Sequence, residues 1–120
     1  MSSSPGMNSL LIVEENGNGV TIVRFRPEQI LEQESIDQIG RELSGLATGR
    51  PRILLNLASV KYLASGMLAK FLTMQRRMAT TGGKLRVCNI EPQAYEVFKV
   101  TRLYTLFDIY ADVSSALDGF

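Results

Sequence analysis

Apolar positions change rhythm near the middle of the chain. Residues 53–57 read Ile-Leu-Leu-Asn-Leu, a nearly unbroken apolar run. After Gly66 the apolar residues recur at helical spacing: Met67, Phe71, Met74 and Met78 form one stripe, with Leu68 and Leu72 beside it. A run of the first kind predicts a strand buried on both faces, the usual state in a parallel sheet. The short polar joint Ala64-Ser65-Gly66 lies between the two patterns. Ser65 is therefore expected at the start of a helix that follows a central strand.

The same reading extends along the chain. Leu10–Val13 is a short apolar run, Glu14–Gly19 a turn cluster, and Val20–Arg26 alternates, with Thr21, Val23 and Phe25 on one face. These predict an antiparallel hairpin. Ser35 and Gln38 fit a capping box for a helix carrying Ile36, Ile39, Leu43 and Leu46, which Gly49 can end. Gly40 and Gly45 inside it each cost about 1 kcal/mol relative to alanine. A central strand follows at Arg52–Leu57. The helix after the joint runs to about Thr81, where Gly82-Gly83 stops it. Leu85–Cys88 predicts another strand. Pro92 opens a helix whose buried stripe is Ala94, Val97, Phe98 and Thr101. Leu106–Tyr110 predicts a last strand, and Asp112 can cap a final helix carrying Val113, Ala116 and Leu117. The order β-β-α-β-α-β-α-β-α predicts one α/β domain over residues 9–120, a mixed, mostly parallel sheet with helices, after a loose tail at residues 1–8.

Composition narrows the chemistry. The 120 residues carry 13 Lys and Arg against 12 Asp and Glu, a formal net charge of +1, so no strong field favours nucleic acid or an acidic membrane. The nearest approach to a basic cluster, Lys70, Arg76 and Arg77, reads as the solvated side of one helix. There is no histidine, which removes the commonest general base and metal ligand. The single cysteine, Cys88, sits in a strand pattern and reads as an inert core residue, with no disulfide or zinc cluster possible within one chain. No apolar run is long enough to span a bilayer, and the first residues have neither the charge nor the apolar stretch of a secretory signal. A cytoplasmic, non-catalytic protein is expected, without cofactor or metal. Gly17 and Gly19 belong to a hairpin turn and Gly82-Gly83 to a helix end, so neither pair is a phosphate cradle.

That leaves the joint. A helix start presents unpaired N–H groups and partial positive charge, which a serine can cap and which would also stabilise a phosphate attached there.

The stretch around the joint resembles the STAS domain of the anti-sigma-factor antagonist type. In that family an apolar strand ends Asp-Leu, a link Val-x-Phe/Tyr follows, then Asp-Ser-Ser/Thr-Gly-Leu and a helix reaching Gly-Gly. Here Asn56-Leu57, Val60-Lys61-Tyr62, Ala64-Ser65-Gly66-Met67-Leu68 and Gly82-Gly83 stand at matching positions without a gap. Leu85 through Asn89, Phe98 through Leu103, and Leu106 through Ile109 fit the closing pattern. The resemblance implies that Ser65 is the phosphoacceptor. A gapped alignment would instead pair Ser65-Gly66 with the family's Ser-Gly and put Ala64 at the acceptor position. The resemblance further implies that the unphosphorylated domain binds an anti-sigma factor that is also a serine kinase with a histidine-kinase-like ATPase fold. Phosphorylation would separate the two, and a phosphatase would reset the serine. The implied binding face is Lys61, Tyr62, Ala64, Ser65, Gly66 and Met67, with Lys70 on the first exposed helical turn.

This chain departs from the pattern in ways that bear on mechanism. Ala64 and Asn56 replace two acids, Gly66 and Met67 replace small residues, and Arg102 stands where the family often has glycine. Met67 also fits plain core packing. Two readings therefore stand: a phosphoregulated partner-switching antagonist, and a STAS scaffold or accessory subunit, in a signalling particle or beside a transporter, with no working phosphate cycle. Self-association stays open.

Overall fold

The computed structural model describes residues 8–120. The expected tail at residues 1–8 falls, but for Asn8, outside them. The predicted hairpin forms from β1 (Leu11–Glu15) and β2 (Thr21–Phe25), paired antiparallel. Asn16 closes it: its Oδ1 accepts from the backbone N–H groups of Asn18 (3.0 Å) and Val20 (2.9 Å). Thr21, Val23 and Phe25 are buried on one face, as the alternation predicts.

Strand β2 then pairs in parallel with β4 (Arg52–Asn56), β4 with β6 (Lys84–Cys88) and β6 with β7 (Asp108–Tyr110). The sheet order is β1-β2-β4-β6-β7, mixed at its hairpin edge and parallel elsewhere. The central strand β4 is fully covered from Ile53 through Leu55, which is why its sequence shows no alternation. Two further two-residue strands, β3 (Gln29–Ile30) and β5 (Tyr62–Leu63), pair in parallel apart from the main sheet. They are absent from the sequence reading.

Helices α1 (Gln33–Ala47), α2 (Ser65–Ala79) and α3 (Pro92–Val100) bury their stripes against one face of the sheet. An aromatic chain runs through that core: Phe25–Phe71, Phe71–Phe107 and Phe98–Phe107, with ring centroids 6.0, 6.5 and 5.7 Å apart. Helix α2 ends as expected. Gly82 takes φ +78°, and the N–H of Gly83 returns to Met78 O at 2.8 Å. A side chain at Gly83 would meet Met78 O at 3.1 Å and Pro51 O at 3.2 Å.

The opposite face carries the short helix α4 (Val113–Leu117), whose Ala116 packs with Val20, Leu54 and Cys88. Asp112 caps α4 in a capping box with Ser115, as predicted. Arg86 fixes the chain end there. Its guanidinium lies 4.8 Å from the Tyr110 ring centre and 4.5 Å from that of Phe120, and it donates to Ala116 O at 2.9 Å.

Three local expectations are corrected. Ser35 is not a cap: α1 begins at Gln33, with Glu32 at the cap position and no side-chain cap bond, because the helical bonds already start at Glu32 O (Ile36 N–H, 3.0 Å). Thr101 is exposed and turns its hydroxyl back onto Val97 O at 2.7 Å, while Val97 is half-buried, so α3 is anchored by Ala94 and Phe98. The stretch before β7 is a 3-10 turn, Leu103–Leu106, and not strand.

Candidate functional site

The site lies where β4 hands over to α2. Beyond β4, Asn56 Oδ1 accepts from the N–H of Ala58 at 3.1 Å, and Val60 N–H closes a turn on Leu57 O at 3.0 Å. The Ser59 hydroxyl donates to Phe25 O at 2.6 Å, tying this turn to the end of β2. The chain next runs beside residues 28–30. Lys61 and Tyr62 donate to Glu28 O (2.8 and 3.1 Å), and Ala64 donates to Ile30 O at 2.9 Å. Val60, Leu63 and Ile30 are buried, while Lys61 and Tyr62 are exposed. The link is thus anchored at its two ends by Val60 and Leu63 and held by backbone bonds.

Ala64 (φ −78°, ψ 149°) is the last extended residue and occupies the cap position without a side-chain acceptor. Ser65 is the first residue of α2. It is exposed, its hydroxyl makes no hydrogen bond among the described residues, and its N–H and that of Gly66 are unpaired there. So Ser65 does not cap its helix. It stands one step further in, with its hydroxyl free and helix-start N–H groups close by.

The remaining predicted face divides. Lys61, Tyr62, Ser65 and Gly66 are exposed and Ala64 half-buried, so these five share one surface. Met67 is fully buried in the core with Leu68 and Phe71, which corrects its assignment as a contact residue: helical geometry turns the third residue of α2 toward the sheet. Lys70 is half-buried and leans away from the joint onto α1. Its Nζ lies 3.6 Å from Asp37 Oδ1, and its stem crosses Gly40, where an added Cβ would meet Lys70 Cδ at 2.8 Å. Gly40 thus permits a close α1–α2 approach. Lys70 lines a 370 Å³ groove between the two helices with Asp37, Arg41, Ser44 and Arg77, and Arg77 donates to the Ser44 hydroxyl.

Leu31 belongs to the surface and was missed. It is 52% exposed, beside Tyr62 at 43%. By strand alternation it falls on the same side of the β3–β5 ladder as Tyr62. The pair Ile30-Leu31 in an otherwise polar segment carries no period to say which of the two is buried.

Two of the positions that depart from the family pattern, Asn56 and Arg102, have a definite local geometry. Asn56, 9% exposed, accepts from Ala58 N–H and from Asn89 Nδ2 at 3.1 Å. Arg102 takes φ 60°, ψ 14°, the left-handed conformation that glycine adopts without strain. Cys88 is buried on the far face. Burial, and then the Asp112 charge, push its thiol from 9.0 up to about 11, in keeping with an inert core residue. Among the described residues no cluster of three His, Cys, Asp or Glu side chains is placed to hold a metal ion, and no helix is long and apolar enough to cross a membrane.

Comparison with known proteins bears on the fold and the family. The Anti-sigma F factor antagonist of Paenibacillus polymyxa is 25% identical over 111 residues, covering 91% of this chain and 93% of its own. The fold is similar to that of an anti-sigma-factor antagonist (STAS) domain protein from Planctomyces limnophilus, with TM-score 0.77 and 23% identity over 89% of this chain and 93% of that one. It is also similar to the anti-sigma factor antagonist SpoIIAA in its unphosphorylated form, with TM-score 0.74 and 18% identity over 90% and 92%. The sequence pattern of the STAS domain matches residues 12–116, and with these relatives beside it the chain belongs to the STAS domain family.

Proposed function

We propose that this domain is a non-enzymatic partner-switching module. Its exposed joint, Lys61, Tyr62, Ala64, Ser65 and Gly66, binds an anti-sigma factor that is also a serine kinase with a histidine-kinase-like ATPase fold. Phosphorylation of Ser65 releases that partner, and a phosphatase restores the serine. The observation that carries the reading is the free, exposed Ser65 hydroxyl on the first residue of α2.

The physics of the switch is local. A phosphate brings about −1.5 to −2 charges at neutral pH. In the free domain the helix start and water stabilise it. A partner surface shaped to an uncharged hydroxyl would have to desolvate that charge. A 100-fold switch needs only about 2.8 kcal/mol of difference between the two states. Tyr62 and Leu31 supply apolar area beside the acceptor.

A second reading has its own observation. Neither Asn56 nor Ala64 offers a carboxylate near the acceptor, so a scaffold or accessory STAS subunit that never enters a phosphate cycle would look the same at rest. One experiment separates the two. The chain is incubated with ATP and a cognate serine kinase of the anti-sigma-factor type, and intact mass and the modified residue are determined. Phosphate on Ser65, with Ser65→Asp binding the kinase at least tenfold more weakly than wild type, supports switching. No phosphate, with equal affinity for both variants, supports the scaffold.

A further inference from the structure

Two exposed apolar patches lie at opposite ends of the domain and differ in charge. Strands β2, β4, β6 and β7 run the same way, so the joint that follows β4 is at their C-terminal end. The 3-10 turn that precedes β7 is at their N-terminal end. Gln75 gives the separation. Its Nε2 donates to Leu106 O at 2.7 Å, and it stands ten residues beyond Ser65 on α2, about 15 Å at the helical rise.

At the joint end Leu31 and Tyr62 are exposed amid Glu28, Glu32 and Glu34, exposed carboxylates that outnumber the exposed Lys61 beside them and have no ion pair among the described residues. At the far end Val100 is 78% exposed, Leu106 49% and Tyr104 41%. Lys99 and Arg102 line a hollow there with Tyr95 and Tyr104, whose rings are 6.4 Å apart. Lys99 is shared with Glu96 at 3.4 Å, but Arg102 has no carboxylate partner among the described residues. Five of the six large hydrophobics exposed among the described residues fall in these two patches, a concentration that scattered surface residues would not show. Arg102 also holds a left-handed backbone at φ 60° that glycine would adopt freely. Such an outlier, kept with a long cationic side chain, points to a use for that side chain.

We propose that the two patches bind each other between copies of this chain, head to tail. Leu31 and Tyr62 of one copy pack on Tyr104 and Leu106 of the next, and Arg102 takes a carboxylate of Glu32 or Glu34, as guanidinium groups do in pairs. The complement of each patch is present in the chain itself, which selects a second copy as the occupant. The contact is heterologous and does not close on itself, so copies add in a row. It is small and charge-assisted, hence weak and salt-sensitive. It also covers the joint, so self-association and partner binding compete. That consequence rests on the proposed function, whereas the assembly does not.

The test is sedimentation of the whole chain over a range of concentrations at low and high salt. The expected result is an average mass that rises with concentration and returns toward the monomer in salt. Leu31→Asp breaks only the joint patch and Arg102→Glu only the far patch. Each variant alone stays monomeric with unchanged circular dichroism, while an equimolar mixture forms dimers and nothing larger, because both outer ends are blocked. A monomer at every concentration overturns the proposal, as does self-association that survives in either variant alone.

Discussion

Asn56, the last residue of β4, and Asn89, the first residue beyond β6, meet through Oδ1 and Nδ2 at 3.1 Å, while the same Oδ1 takes the Ala58 N–H. One nearly buried acceptor thus ties the end of β4 to the segment after β6 and starts the turn that leads to Ser65. Removing it by Asn56→Ala leaves two donors unpaired and should cost about 1–3 kcal/mol in urea unfolding. Asn56→Asp keeps the acceptor, and both donors favour its ionised form, so it should stay within about 1 kcal/mol of wild type at neutral pH. An equal loss in both variants would mean that the amide and not the acceptor is what the turn requires.

The two glycines inside α1 separate by their surroundings. An added Cβ at Gly45 has nothing within 4 Å, whereas one at Gly40 meets the Lys70 stem. Gly45→Ala should therefore gain about 0.5–1 kcal/mol from helix propensity and the unfolded chain. Gly40→Ala should gain less, since it displaces Lys70 from Asp37, a half-exposed pair worth at most about 1 kcal/mol. Thermal unfolding of the two variants side by side decides this, and an equal gain would show that the Lys70 stem yields at no cost.

The sequence made the main sheet and the three helices on its inner face legible because their periods are long enough to count. The four apolar residues of the stripe after Gly66 fall on the buried face of α2, and the nearly unbroken run at 53–57 covers most of the doubly covered strand. The β3–β5 ladder was not legible. Two residues carry no period, and the ladder exists only because the backbone near Glu28 comes to lie beside Lys61. At the site, Ser65 could be placed at a helix start, but two neighbours were misread for one reason. A face drawn as consecutive residues ignores the 100° turn per residue, which sends Met67 inward and Lys70 sideways onto α1. The left-handed Arg102 was foreshadowed only by the family's glycine at that position.

Cys88 gives a pH dependence. Its folded value of about 11 lies above the ordinary 9.0, so the fold favours the neutral thiol. That contribution is complete below pH 9 and is lost as pH rises toward 11, where the unfolded thiol ionises and the folded one resists. Full loss corresponds to at most about 2–3 kcal/mol, an upper bound that solvent screening of the thiolate lowers. Stability measured from pH 8 to 11 should fall more steeply for wild type than for Cys88→Ala, which cancels the other titrating groups. Parallel curves would mean that the buried thiol ionises without penalty. Native protein at pH 8 should also resist thiol reagents that label it when unfolded.

Ser65 should be nearly silent in folding, and that silence is what makes it usable as a switch. Its hydroxyl forms no bond among the described residues, so Ser65→Ala should change stability by less than about 0.5 kcal/mol. Ser65→Asp puts a negative charge at the start of α2, where no acidic residue stands in the first turn, and should add about 0.3–1 kcal/mol that fades with salt. Urea midpoints of the three proteins at low and high salt measure both effects. If Ser65→Asp were destabilising, weaker partner binding by that variant would reflect a damaged fold. If it stabilises, the same weakening must come from the interface, because the charge then costs energy only where a partner has to strip its water.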